Sequence, residues 1–172
     1  MNLYYVTDEY IDYLRSFDQR IYDNKGKTRP YVGVLFSISS YNYYACLSSP
    51  KPKHKSMRNT KDFRKINNGV WGAINFNYMI PVPQSELSVI DIGNIQDVKY
   101  RRLLQNQYNF IKNDWSNIEQ TAFSLYQLCN NDDKKLTKHD ITVKNRCCDF
   151  KLLEKKCKEY KPRQVGTVSS YS

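Results

Sequence analysis

The sequence predicts an α+β fold built on an antiparallel sheet. Two observations carry that expectation. β-branched and aromatic runs fill the first half of the chain and helical periodicity fills the second, without the regular β-α alternation that builds parallel sheets. A third observation sets aside the dinucleotide and P-loop classes, because the chain has neither a Gly-x-Gly-x-x-Gly run nor a Walker loop.

The first element is Leu3-Tyr4-Tyr5-Val6, a short β-prone run, and Thr7 caps a helix whose first turn carries Asp8 and Glu9, acids suited to the positive end of the helix dipole. Tyr10, Leu14 and Phe17 share one face, with Ile11 beside it. After a loop at 23–27, the runs 31–37 and 43–48 flank the turn-prone Ser39-Ser40-Tyr41-Asn42, the pattern of a β-hairpin. Pro50 and Pro52 then fix φ and remove backbone donors, so the next segment is expected to be a loop outside both helix and sheet. Asn67-Asn68-Gly69 makes a turn, 70–80 supplies one or two strands ended by Pro81-Val82-Pro83, and 88–92 supplies another. Leu103, Leu104, Tyr108 and Ile111 mark one amphipathic helix, and Trp115, Ile118, Ala122, Leu125 and Cys129 mark a second. Residues 130–138 read as a polar connector, with His139 beside it as a surface residue. Asp149 caps a last helix striped by Phe150, Leu153, Cys157 and Tyr160, and the tail at 163–172 is expected to be mobile.

At 172 residues the chain has the size of a single domain with a sizeable core. Its mean hydropathy of -0.73 does not signal disorder, because 15 tyrosines pack as well as hydrogen-bond. With 27 Lys and Arg against 17 Asp and Glu the net charge is +10, a field that attracts polyanions: RNA, DNA or an anionic membrane surface. No stretch approaches the roughly 20 apolar residues that span a bilayer. Five cysteines form an odd set without Cys-x-x-Cys spacing, and no apolar leader precedes Asp8, which points to a soluble protein of the reducing cytoplasm. Adjacent Cys147 and Cys148 downstream of His139 do not make a zinc pattern.

The charge is clustered. Residues 51–65 hold seven Lys or Arg with Asp62 as the lone acid, whereas 85–97 hold no base. The apolar run Tyr43-Tyr44-Ala45-Cys46-Leu47 delivers Ser48 and Ser49 directly into Pro50-Lys51-Pro52-Lys53-His54-Lys55, so two hydroxyls leave a stiff strand beside several cations. That suits phosphate chemistry, although the same serines also read as mere strand terminators. Scattered carboxylates argue against a metal-dependent nuclease, and two histidines so far apart in environment argue against a His–His ribonuclease. What remains is phosphoryl transfer by positioning and charge, in which the 2′-hydroxyl of RNA supplies the nucleophile. Ser48 or Ser49 orients or relays a proton, and Lys51 neutralises charge on the phosphate. Arg29 stands at the mouth of the first hairpin strand, within reach of the same face. In Asn75-Phe76-Asn77-Tyr78 the amides share one side of a strand, able to read bases, while the rings face the core. An RNA-binding module without catalysis stays open, and a DNA-binding regulator lacks a helix-turn-helix pattern.

Three tracts carry a family resemblance: Arg29-Pro30-Tyr31-Val32-Gly33-Val34-Leu35, Tyr43-Tyr44-Ala45-Cys46-Leu47-Ser48-Ser49-Pro50-Lys51-Pro52-Lys53-His54, and Ile74-Asn75-Phe76-Asn77-Tyr78-Met79-Ile80-Pro81-Val82-Pro83. They resemble the ToxN/AbiQ family of type III toxin–antitoxin endoribonucleases, over nearly the whole chain. The resemblance implies a twisted antiparallel sheet surrounded by helices, related to the Kid/MazF toxin fold. It implies RNA cleavage without metal or cofactor, leaving a 2′,3′-cyclic phosphate and a 5′-hydroxyl, in defence against phage. The implied partners are a small antitoxin RNA of tandem repeats, which the toxin cuts and which then inhibits it, and cellular or phage RNA substrates, with a higher-order protein–RNA assembly as a further expectation. By motif position Ser48, Ser49 and Lys51 are catalytic, joined by Arg29. The expected RNA contacts are Tyr31, Lys53, His54, Lys55, Arg58, Lys61, Asn75 and Asn77. Cys46 departs from the pattern, standing where the family has proline.

Overall fold

The computed structural model describes residues 1–26 and 28–162; the tail expected to be mobile lies outside them. In chain order the elements are β1 (Asn2–Val6), α1 (Asp8–Arg15), β2 (Tyr31–Gly33), β3 (Ser37–Ile38), β4 (Tyr41–Ser48), α2 (Pro52–Ser56), β5 (Phe63–Lys65), β6 (Ala73–Pro81), β7 (Leu87–Val89), α3 (Val98–Asn113), α4 (Trp115–Asn130), α5 (Lys138–Arg146) and α6 (Phe150–Glu159). The α+β expectation holds. The sheet is antiparallel throughout, in the order β5-β6-β4-β2-β1-β7, with β3 paired to β4 off that path.

Local chemistry explains most boundaries. The Thr7 hydroxyl accepts from the Tyr10 amide and starts α1, whose Tyr10, Ile11 and Leu14 are buried. Phe17 lies past the helix end and is 42% exposed, so the expected stripe is one residue too long. Asp97 caps α3, and Asp149 caps α6 by accepting from the Leu152 amide. The first hairpin arm is split into β2 and β3, although Leu35 and Phe36 keep exchanging backbone bonds with Tyr43.

Three segments differ from expectation. Residues 52–56 form the short helix α2, because Pro52 occupies the first helical position, where proline lacks nothing the helix needs. Inside the basic run, β5 pairs with β6. The connector near 138 continues into α5 through a reciprocal capping box between Thr137 and Asp140, and exposed His139 sits in its first turn.

The core lies where β4 and β6 meet α4 and α6. Tyr43 of β4 and Tyr126 of α4 both donate to Glu154 Oε1 of α6, at 2.9 and 2.6 Å, and Lys151 pairs with the other carboxylate oxygen. This buried, satisfied network fixes the helices on the sheet. The far end of β4 is thereby a rigid platform. Among the described residues no helix is long and apolar enough to cross a membrane.

Candidate active site

Ser48 is the last residue of β4 and pairs with Ala73 of β6. Two residues further along β6, Asn75 donates through Nδ2 to Ser48 Oγ at 2.6 Å and to the Cys46 carbonyl at 3.4 Å. A carbonyl only accepts, so the amide presents its NH₂ to the serine. The Ser48 hydroxyl, its oxygen satisfied, keeps its own proton free to donate elsewhere. Cys46 lies buried in the strand, and burial pushes its thiol pKa up to about 12. It is inert structure.

Backbone clearance under this platform depends on Gly72. A Cβ there would sit 1.9 Å from the Ser48 carbonyl oxygen, and φ is +95°. Only glycine allows both. Above the platform, Pro50 leads to Lys51, which caps α2; the His54 amide bonds back to the Lys51 carbonyl at 2.9 Å.

Two cavities open on either side of Ser48 and Lys51, which line both. The first, about 500 Å³, brings together all four expected catalytic residues, Arg29, Ser48, Ser49 and Lys51. Arg29 is fixed there by donating from Nε to the Asp23 carbonyl at 2.8 Å, with its guanidinium 4.7 Å from the centre of the Tyr22 ring. That ring leans on Tyr78 at 4.2 Å, so a cation–π stack forms the partition between the cavities. Lys25 and Tyr100 complete the wall.

The second cavity, about 400 Å³, gathers Lys53, His54, Arg58, Asn75 and Asn77 from the expected RNA contacts. Its far wall is an ion pair: Arg146 reaches the buried Asp62 through Nε and Nη2 at 3.0 and 2.9 Å. Asn77 holds this wall by donating to the Arg146 carbonyl, while its own backbone carbonyl accepts from the Cys148 amide. Ser49, Lys51, Lys53 and Arg58 are exposed, leaving a cationic surface around the nearly buried Ser48 hydroxyl.

One expected RNA contact, Tyr31, is contradicted by its burial, and others take surroundings of their own. Tyr31 is 1% exposed, because its side chain projects from the sheet face into the hydrophobic core; burial raises its hydroxyl pKa. His54 is buried against Phe63, and burial together with Lys51 and Lys53 lowers its pKa, so the ring is a neutral floor of the cavity. Asn75 and Asn77 line the second cavity, each with its amide nitrogen engaged, on Ser48 and on the Arg146 carbonyl. Lys55 lines neither cavity, and Lys61 lines a different one, paired to Asp140 of α5. Sequence reasoning missed Tyr22, Tyr100 and Arg146; only the excess of tyrosine hinted at the first two. Among the described residues no three His, Cys, Asp or Glu gather as for a metal ion.

The family model for toxin ToxN of type III toxin–antitoxin systems matches residues 2–158. The endoribonuclease ToxN of Bacillus thuringiensis subsp. kurstaki is 36% identical over 163 residues, 92% of this chain and 83% of that relative. The endoribonuclease AbiQ of Lactococcus lactis subsp. lactis is 32% identical over 179 residues, 96% of this chain and 92% of AbiQ. A toxin structure from work on selective toxin inhibition by a non-coding RNA pseudoknot superposes with a TM-score of 0.83 at 33% identity, over 94% of this chain and 98% of the other. The structure of AbiQ, a lactococcal anti-phage endoribonuclease, superposes with a TM-score of 0.74 at 29% identity, over 92% of this chain and 96% of its own. The chain belongs to the ToxN family of toxins from type III toxin–antitoxin systems.

Proposed function

We propose that this protein is an endoribonuclease toxin of a phage-defence type III toxin–antitoxin system, cutting RNA without a metal ion. The observation that carries this reading is the 2.6 Å bond from Asn75 to Ser48, which orients a hydroxyl at the meeting point of two cationic cavities. In the proposed reaction the substrate's 2′-oxygen attacks the adjacent phosphorus and loses its proton. The P–O5′ bond breaks, and the products are a 2′,3′-cyclic phosphate and a protonated 5′-hydroxyl. Ser48 donates to a non-bridging oxygen as negative charge grows, Lys51 and Arg29 neutralise it, and Ser49 provides a second, exposed hydroxyl.

The same groove suits an inhibitory RNA of tandem repeats as product and occupant, with cellular or phage RNA as substrate and a higher-order protein–RNA assembly as the inhibited form. Such work is that of a cytoplasmic protein. The sheet core is assigned to the Kid/MazF-like toxins, as the family resemblance implies. Ser48→Ala tests the reading: single-turnover cleavage is expected to slow by about 10²–10³-fold, the loss typical of one donor aimed at developing charge, while RNA affinity stays near wild type. Binding with no cleavage by the wild-type protein would instead identify a non-catalytic RNA-binding module.

A further inference from the structure

A further cavity, about 610 Å³, is not part of this groove. It lies between the edge strand β5 and helix α4, and Thr60 lines both it and the Asp62–Arg146 cavity. The surface is therefore continuous from Ser48 to α4. Its walls differ in chemistry from the groove. Lys61 and Arg64 stand on one side, each already paired, with Asp140 and Asp114. Asn117, Gln120, Thr121 and Ser124 of α4 stand on the other. The Asn117 amide already donates to Asp114 and the Thr121 hydroxyl to the Asn117 carbonyl, so among the described residues of this wall Gln120 and Ser124 hold the uncommitted donors that face the cavity. In a chain that is 26% charged, α4 carries one charged residue, the half-buried Glu119, and none of its exposed positions is charged. Helix α3 has Lys99, Arg101, Arg102 and Lys112. A solvated helix face is ordinarily charged; a face of amides and hydroxyls lining a cavity is equipped to hydrogen-bond base edges and ribose hydroxyls.

We propose that the α4 cavity is a binding track for the single-stranded RNA that flanks the scissile bond on one side, reading bases and sugars where the Ser48 groove grips phosphates. This rests on the RNA-cleaving reading of the groove. The volume is of the size class that encloses a base-sized ligand. Because the cations here are already paired, recognition is by neutral hydrogen bonds, and it has a signature. Removing an amide weakens binding without changing the slope of affinity against salt, whereas removing a phosphate contact flattens that slope.

The experiment measures binding of fluorescent RNAs that carry 2′-O-methyl groups only at the nucleotides in the groove, which removes the attacking hydroxyl and keeps those of the flanking nucleotides, in a short form confined to the groove and a long form that extends past it. The proteins are wild type, Gln120→Ala and Ser124→Ala, both positions exposed. Cleavage of the matching unmodified RNAs runs in parallel. Each variant is expected to bind the long RNA about tenfold more weakly, with the short RNA and the salt slope unchanged. Unchanged affinity for the long RNA overturns the track, as does an equal loss on both lengths. Unchanged affinity with a shifted sedimentation coefficient overturns it in favour of a contact between protein copies. A wild-type protein that binds both RNAs and cuts neither would sink the cleavage reading and leave the length-dependent result to decide the track.

Discussion

Replacing Asn75 with alanine removes the donor that holds Ser48. Both residues are nearly buried, at 5% and 6% exposure, so the orphaned Ser48 oxygen gains no ready water partner. Leaving such a group unsatisfied costs about 1–3 kcal/mol, within what a domain of this size tolerates. The kinetic effect is larger in consequence. A catalytic group misplaced by about an ångström loses about 10²-fold in rate, roughly 2.7 kcal/mol of transition-state stabilisation. Asn75 does not contact phosphate in this account; it acts through Ser48. The assay is a double-mutant cycle on single-turnover cleavage at saturating enzyme, well below the melting temperature. Asn75→Ala in the Ser48→Ala background is expected to cost nothing further. Additive losses would show that Asn75 works on the substrate independently and would refute the positioning role.

The same geometry carries other expectations. Gly72→Ala places a Cβ 1.9 Å from the Ser48 carbonyl at a φ of +95°, so the variant should lose more than about 1 kcal/mol in urea unfolding, with cleavage falling further than stability accounts for. Lys51 lines both cavities and Lys55 neither; Lys51→Ala should slow cleavage by about 10²-fold while Lys55→Ala stays near wild type, and equal effects would displace Lys51 from the site. Burial, with Lys51 and Lys53 alongside, lowers the His54 pKa. Below about pH 6.5 the unfolded chain takes up a proton that the folded chain refuses, so stability should fall as pH drops through that value and level off below the folded pKa. Urea midpoints for His54→Gln should show a shallower fall than wild type, and parallel curves would contradict the assignment.

Local signals are readable from residue order wherever one side chain acts on its neighbours. The Thr7 and Asp149 caps, the Asn67-Asn68-Gly69 turn and the descent of β4 into Ser48 are of this kind. The proposed catalytic set is as well, because Ser48, Ser49 and Lys51 are nearly contiguous and Arg29 enters beside them. What escapes residue order depends on partners distant in sequence. Tyr31 looks like any exposed strand tyrosine until its sheet face is packed into the core. Lys61 joins the basic run in sequence, but Asp140, 79 residues away, draws it to another cavity. Asn75 and Asn77 lie on the expected strand, yet only the register with Ser48 and the arrival of Arg146 turn their amides inward. Helix α2 is hidden for a different reason: Pro52 reads as a breaker, whereas at the first helical position it is a starter.

The most direct test of the central claim is incubation of the purified protein with end-labelled single-stranded RNA in excess EDTA, with identification of the new ends. The account predicts discrete fragments carrying 2′,3′-cyclic phosphate and 5′-hydroxyl termini, formed at the same rate with and without chelator. Fragments with 3′-hydroxyl and 5′-phosphate ends, or cleavage abolished by EDTA and restored by a divalent cation, would contradict it.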